Sequence, residues 1–118
     1  MQTLQLYGLS ERDEQAILGI FQKYPEIDNV LIFGSRAKGV FHKGSDIDLA
    51  IVGEQISCNI LQQIKDDFEE SSLPYRVDLV DMEKIDYPPL KEHINRVGKQ
   101  FYRQTMPAFA HWLASNSV

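Results

Sequence analysis

Asp46 and Asp48 stand two residues apart downstream of a Gly-Ser pair, Gly34 and Ser35, within the segment GSRAKGVFHKGSDIDLAIV. In an extended strand side chains alternate faces, so the two aspartates project to one side and Ile47 and Leu49 to the other, with the aspartate Cα atoms roughly 6–7 Å apart. Two unpaired carboxylates so placed repel each other, and a hard divalent cation relieves the repulsion. Magnesium favours a few carboxylates plus substrate phosphates over a cage made wholly of protein. Gly34 and Ser35 follow the short apolar run Val30, Leu31, Ile32, Phe33, which puts them at the C-terminal end of a buried strand, an edge that ligands favour. Glycine lets the backbone approach a phosphate closely, Ser35 offers a hydroxyl and an N–H, and Arg36 and Lys38 bring positive charge. Ser45, just before the acid pair, either caps the turn or contacts a phosphate. The whole stretch reads as a site for a nucleotide and a metal.

Holding two metals for an in-line displacement calls for a third acid. A second apolar strand, Tyr75 to Asp81, carries Asp78 between Val77 and Leu79. An acid buried in mid-strand without a partner is costly, so Asp78 is expected to be the third ligand. Asp81 closes that strand as a solvent-facing end or a cap. Arg36 has three competing uses: contact with a phosphate, pairing with Asp46 or Asp48, or packing against the sheet. Lys38, His42 and Lys43 read as a solvated basic loop. His93 and His111 lack metal-ligand spacing, and Cys58 has no visible partner to activate it. No glycine is followed by Lys and then Ser or Thr, and no GxGxxG occurs, which excludes a Walker A loop and a dinucleotide fingerprint.

The elements that must position these residues follow from periodicity and caps. Ser10 and Asp13 open an amphipathic helix carrying Ile17, Ile20, Phe21 and Tyr24, which Pro25 ends. Strands are expected near residues 29–34 and 46–52. Ser57 caps a second helix with Ile60, Leu61, Ile64 and Phe68 on one face, and the Asp78 strand follows Pro74. Leu90, Ile94 and Val97 mark a further helix ending near Gly98, and Phe101 with Tyr102 adds a short edge strand. The fold class expected is α+β: one small domain over residues 1–105, with a mixed sheet of three to five strands and helices packed on it. Residues 106–118 form a helical tail whose Phe109, Trp112 and Leu113 share one face, either completing the core or binding a partner.

The chain has 118 residues, 43% hydrophobic and 25% charged, with a net charge of −5. One core is the simplest arrangement at this length, with no room for a separate substrate domain. The acidic balance argues against duplex nucleic acid, which selects for a basic stripe. A single cysteine cannot form an internal disulfide, and neither a leader nor an apolar run long enough for a bilayer is read in the sequence, so the expected compartment is the cytoplasm.

GSRAKG, then SDIDL, then VDLVD together resemble the DNA polymerase beta type nucleotidyltransferases, and specifically the minimal nucleotidyltransferase (MNT) proteins of prokaryotes. The resemblance is strong over residues 31–81 and looser in the flanks. It implies a polymerase-beta-like fold in which Gly34 and Ser35 hold a triphosphate, Asp46 and Asp48 ligate two magnesium ions, and Asp78 binds the one that activates the acceptor hydroxyl. It further implies transfer of a nucleoside monophosphate, AMP from ATP or the equivalent from another nucleoside triphosphate, with pyrophosphate leaving. The implied acceptor is a tyrosine of a HEPN-family toxin encoded nearby, with this chain as antitoxin. Two other readings stand beside it: a nucleotide-binding module that silences its partner by occlusion, and the catalytic half of a two-part enzyme that modifies a small molecule such as an aminoglycoside.

Overall fold

The computed structural model describes residues 7–104, so the tail expected over residues 106–118, with its aromatic stripe and His111, lies outside the described residues. The chain runs α1 (Glu11–Phe21), β1 (Asn29–Phe33), α2 (Gly34–Lys38), β2 (Ile47–Val52), α3 (Cys58–Glu69), β3 (Val77–Asp81), a single 3-10 turn (Met82–Lys84), α4 (Pro88–Val97) and β4 (Lys99–Arg103). The caps fall where hydroxyls satisfy the first free N–H groups. The Ser10 hydroxyl accepts from the Asp13 amide at 3.1 Å, and the Ser57 hydroxyl accepts from the Ile60 amide at 3.1 Å. Pro88 opens α4, where a missing N–H does no harm.

Four strands form one mixed sheet in the order β3-β2-β1-β4. β1 pairs antiparallel with β2 and β4, whereas β2 and β3 run parallel, joined by a crossover through α3. Strand alternation divides the apolar residues between two faces. Val30, Ile32, Ile47, Leu49, Ile51 and Leu79 meet Ile17, Ile20 and Phe21 of α1 and Ile64 and Phe68 of α3. The opposite face is smaller: Phe33, Ala50 and Val80 pack under Leu90, Ile94 and Val97 of α4. Asp48 and Asp78 alternate with the large-core residues and therefore belong to the α4 face of the sheet. A tyrosine-carboxylate contact ties the segment after α1 to α3, the Tyr24 hydroxyl donating to Asp67 beside Lys23, whose ammonium lies 3.1 Å from the same carboxylate.

The expected α+β architecture and element order hold, with α1 ending at Phe21 so that Tyr24 lies beyond it, and with two additions, the 3-10 turn at Met82–Lys84 and a helix after β1. The residues after Gly34, expected as a turn, wind into the short helix α2. Five residues offer too little periodicity to announce a helix, and Gly39, left-handed at φ 78°, ends it at once. Among the described residues no helix is long and apolar enough to cross a membrane.

Candidate active site

Register alone brings two of the three acids together. Asp48 is the Cα partner of Asp78 across the parallel β2–β3 ladder and of Phe33 across the antiparallel β1–β2 ladder. Phe33 is the last residue of β1, so the chain turns into α2 directly beside Asp48. Gly34 makes that turn at φ 75°, a region glycine enters freely, and a Cβ built on it would collide with the Asp48 carboxylate. The phosphate-type turn and the central acid are thus in direct contact, and no larger residue fits between them. Ser35 follows, half-buried in the first turn of α2, where N–H groups have no partners within the helix.

Asp46 differs from expectation in placement and Asp78 in burial. β2 begins at Ile47, so Asp46 stands on the approach to the strand and is exposed. Its neighbour is anchored to β3, the Ile47 amide donating to the Arg76 carbonyl at 2.9 Å. Asp78 is the second residue of β3, with a side chain 46% exposed and 3.6 Å from the Arg76 guanidinium. Its location on an edge strand, open on one side, is why the burial penalty expected of a mid-strand acid does not arise. Asp81, expected as a solvent-facing end or a cap, is a cap but a buried one: its carboxylate accepts from the Glu83 amide at 3.1 Å and lies 3.7 Å from Lys84.

Arg36 departs furthest from expectation as a phosphate contact. It is 1% exposed, and its guanidinium donates through Nε and Nη2 to the Ser45 carbonyl, at 3.2 and 2.8 Å, and through Nη1 to the Tyr7 carbonyl at 2.6 Å. The rings of Tyr75 and Phe41 lie 4.6 and 5.4 Å from its carbon centre. A guanidinium held by carbonyls and aromatic faces has no free edge for a ligand. Ser45 is buried, and its hydroxyl accepts from the His42 amide at 3.0 Å, so it caps the turn. His42 and Lys43 lie exposed in the loop as expected, and Lys38, also exposed, ends α2. Cys58 is exposed, with the Lys84 ammonium 3.7 Å from its sulfur.

Two contributors to this region gave no signal in sequence. Tyr75, upstream of β3, reaches Arg36 only because the sheet brings the β2 and β3 approaches side by side. His93 of α4, expected as an ordinary helix residue, sits edge-on to Phe33 with ring centres 6.1 Å apart and so stands near the Gly34 turn.

Asp48 carries the electrostatic signature of the site. Its carboxyl is pushed up to about 6, chiefly by burial, then by the charges of Asp78 and Asp46, while Arg36 opposes the shift. That strain is what a cation relieves, and the all-oxygen donor set suits magnesium. Among the described residues no three acidic, histidine or cysteine groups already surround one point as a closed cage does. Magnesium bound together with a nucleotide needs only one or two carboxylates, the phosphates supplying the rest, so the residues present fit that ion. A cleft of about 430 Å³ opens beside Asp78 between α3 and β3, walled by Lys65, Tyr75, Arg76 and Val77 among others.

Residues 15–106 match the family model described as Polymerase beta, Nucleotidyltransferase. A Haemophilus influenzae protein named probable protein adenylyltransferase MntA is 49% identical over 53 residues, 44% of this chain, and the match spans about half (46%) of that relative. Among solved structures, a toxin-antitoxin complex with AMP-PNP superposes with a TM-score of 0.64 at 22% identity, covering 89% of this chain and 93% of its own. A Shewanella oneidensis complex of a tri-AMPylated HEPN toxin with its MNT antitoxin gives 0.58 at 21% identity, covering 88% and 89%. These structural likenesses speak for the fold, while the family match takes in the Gly34 turn and all three acids. The chain belongs to the polymerase beta nucleotidyltransferase family.

Proposed function

We propose that this chain transfers AMP from ATP to a tyrosine hydroxyl of a HEPN-type partner encoded nearby, as the antitoxin of a toxin-antitoxin pair. The observation that carries the reading is the contact between the Gly34 turn and Asp48, with Asp78 opposite Asp48 in register. It joins a phosphate-holding turn to a carboxylate pair, which is the minimum that nucleotidyl transfer asks of a protein. The choice of AMP, and of a protein acceptor, is supported by the likeness to an adenylyltransferase and to a complex whose toxin carries AMP. The tyrosine itself rests on the MNT resemblance.

The roles are those the MNT resemblance implies. Gly34 and Ser35, at the end of β1, hold the triphosphate; Asp46 and Asp48 lie beside them on β2 and its approach; Asp78 lies beyond on β3. In-line displacement sets the acceptor oxygen opposite the leaving pyrophosphate at the α-phosphorus. A bond forms between the acceptor oxygen and the α-phosphorus, the bond to the bridging oxygen breaks, pyrophosphate leaves, and the hydroxyl proton is released. Two magnesium ions, held by Asp46, Asp48 and Asp78, would supply charge neutralisation on the phosphates and a more acidic acceptor hydroxyl. Because the reaction draws on ATP, we place it in the cytoplasm.

The test is the intact mass of the HEPN-type partner after incubation with this chain, magnesium and ATP, beside an Asp46→Asn/Asp48→Asn control. One or more AMP units gained only with the wild-type chain is the expected result. A stable complex with no mass gain would replace transfer with occlusion. A gain that appears only on an added aminoglycoside would redirect the proposal to a small acceptor.

A further inference from the structure

The β2–β3 ladder fixes Asp48 against Asp78, yet Asp46 stands outside that ladder. Its backbone is held on one side by the Ile47 amide on the Arg76 carbonyl, and on the other by two N–H groups of Arg36 on the Ser45 carbonyl. Arg36 is the chain neighbour of Ser35, so one buried guanidinium spans from the phosphate-type turn to the residue preceding Asp46. Its third contact, Nη1 on the Tyr7 carbonyl, draws in the segment ahead of α1, where Gly8 turns at φ 72° and a Cβ would strike the Phe41 ring. The Tyr75 ring at 4.6 Å adds the approach to β3. A single side chain thus touches the approaches to both acid-bearing strands.

We infer that Arg36 is a positioning residue that sets Asp46 at its working distance from the Gly34–Ser35 turn without touching nucleotide or metal. The inference rests on the nucleotidyl-transfer reading for its kinetic consequences only. Its geometric content is that the fork shape of the guanidinium matters, and not the charge alone. A lysine keeps the charge but presents one compact ammonium, which cannot donate twice to Ser45, reach Tyr7 and lie flat against a ring.

The decisive experiment compares wild type and Arg36→Lys in three readouts: thermal unfolding, Mn²⁺ affinity in the presence of AMP-PNP by electron paramagnetic resonance, and kcat with KM for ATP in AMP transfer. The variant is expected to be folded at 25 °C and to bind Mn²⁺ about tenfold or more weakly, as when the support of a metal ligand is removed. Its kcat is expected to fall about 100-fold, the scale of an ångström of misplacement, with KM for ATP within about threefold of wild type. A folded variant with wild-type Mn²⁺ affinity overturns the inference, and so does a raised KM at unchanged kcat, which marks a direct phosphate contact. Should Arg36→Lys not fold, Tyr75→Leu and Tyr75→Phe decide. The leucine is expected to weaken Mn²⁺ binding and the phenylalanine to restore it, and equal values for the two overturn the inference. If the wild-type chain transfers no AMP, the transfer reading has failed, and the Mn²⁺ comparison still decides the role of Arg36.

Discussion

Asp48 is a carboxyl whose folded environment opposes its ionisation. Burial removes water from it, and Asp78 and Asp46 add like charge, so it titrates at about 6 against 3.8 in the unfolded chain. A folded pKa above the unfolded one means that the native state binds the extra proton. Without metal, stability is therefore greatest below about pH 4 as far as this group is concerned and falls as pH rises toward 6, by something on the order of 1–3 kcal/mol after allowance for partial solvation. Urea unfolding in chelator across that range should show the decline, and Asp48→Asn should flatten it while abolishing metal-dependent transfer. A wild-type profile with no downward slope would remove the raised Asp48 pKa, burial and like charge together. The same acid explains Gly34: a side chain there would occupy the space the Asp48 carboxylate needs.

At the scale of elements, the site exists because β1 ends where β2 and β3 begin. The antiparallel β1–β2 pair and the crossover through α3 bring a C-terminal strand end and two N-terminal ones to the same margin of the sheet. α4 then covers the carboxylate face. Ile94 is the one fully buried residue of that helix, packed with Phe33 and Ala50 and flanked by Leu90 and Val97. Ile94→Ala should cost about 2–4 kcal/mol by leaving a cavity that the small second core cannot close. Urea titration is expected to show a lower midpoint at an unchanged m value. A loss under about 0.5 kcal/mol would mean that α4 is held by something other than this core.

At the scale of the whole molecule, occupation of the proposed site is read as global stability. Binding to the native state alone raises stability by mass action, about 2.7 kcal/mol at a ligand concentration 100 times Kd. For a domain near this length that is roughly 10–20 °C in Tm. Magnesium with AMP-PNP should raise the melting temperature on that scale, either component alone should do much less, and Asp48→Asn should erase the joint effect. A shift unchanged in Asp48→Asn would place the nucleotide somewhere other than the Gly34 turn.

Much of this was open to reading in the residues themselves. Local chemistry is written locally: Ser10 and Ser57 cap helices, the run Val30 to Phe33 is a strand, and the short-range spacing of Gly34, Ser35, Asp46 and Asp48 is what proposes a site. Asp78 could be proposed from its strand, but its alignment with Asp48 depends on the register of a parallel pair joined through α3, which spacing does not encode. The five-residue α2 was too short to show a period. Arg36 marks the boundary most clearly. Its sequence context offered phosphate, carboxylate or sheet as partners, whereas its place beneath Ser45, Tyr7, Phe41 and Tyr75 is decided by contacts between segments far apart in the chain, because burying a guanidinium is tolerable only where several carbonyls and ring faces converge.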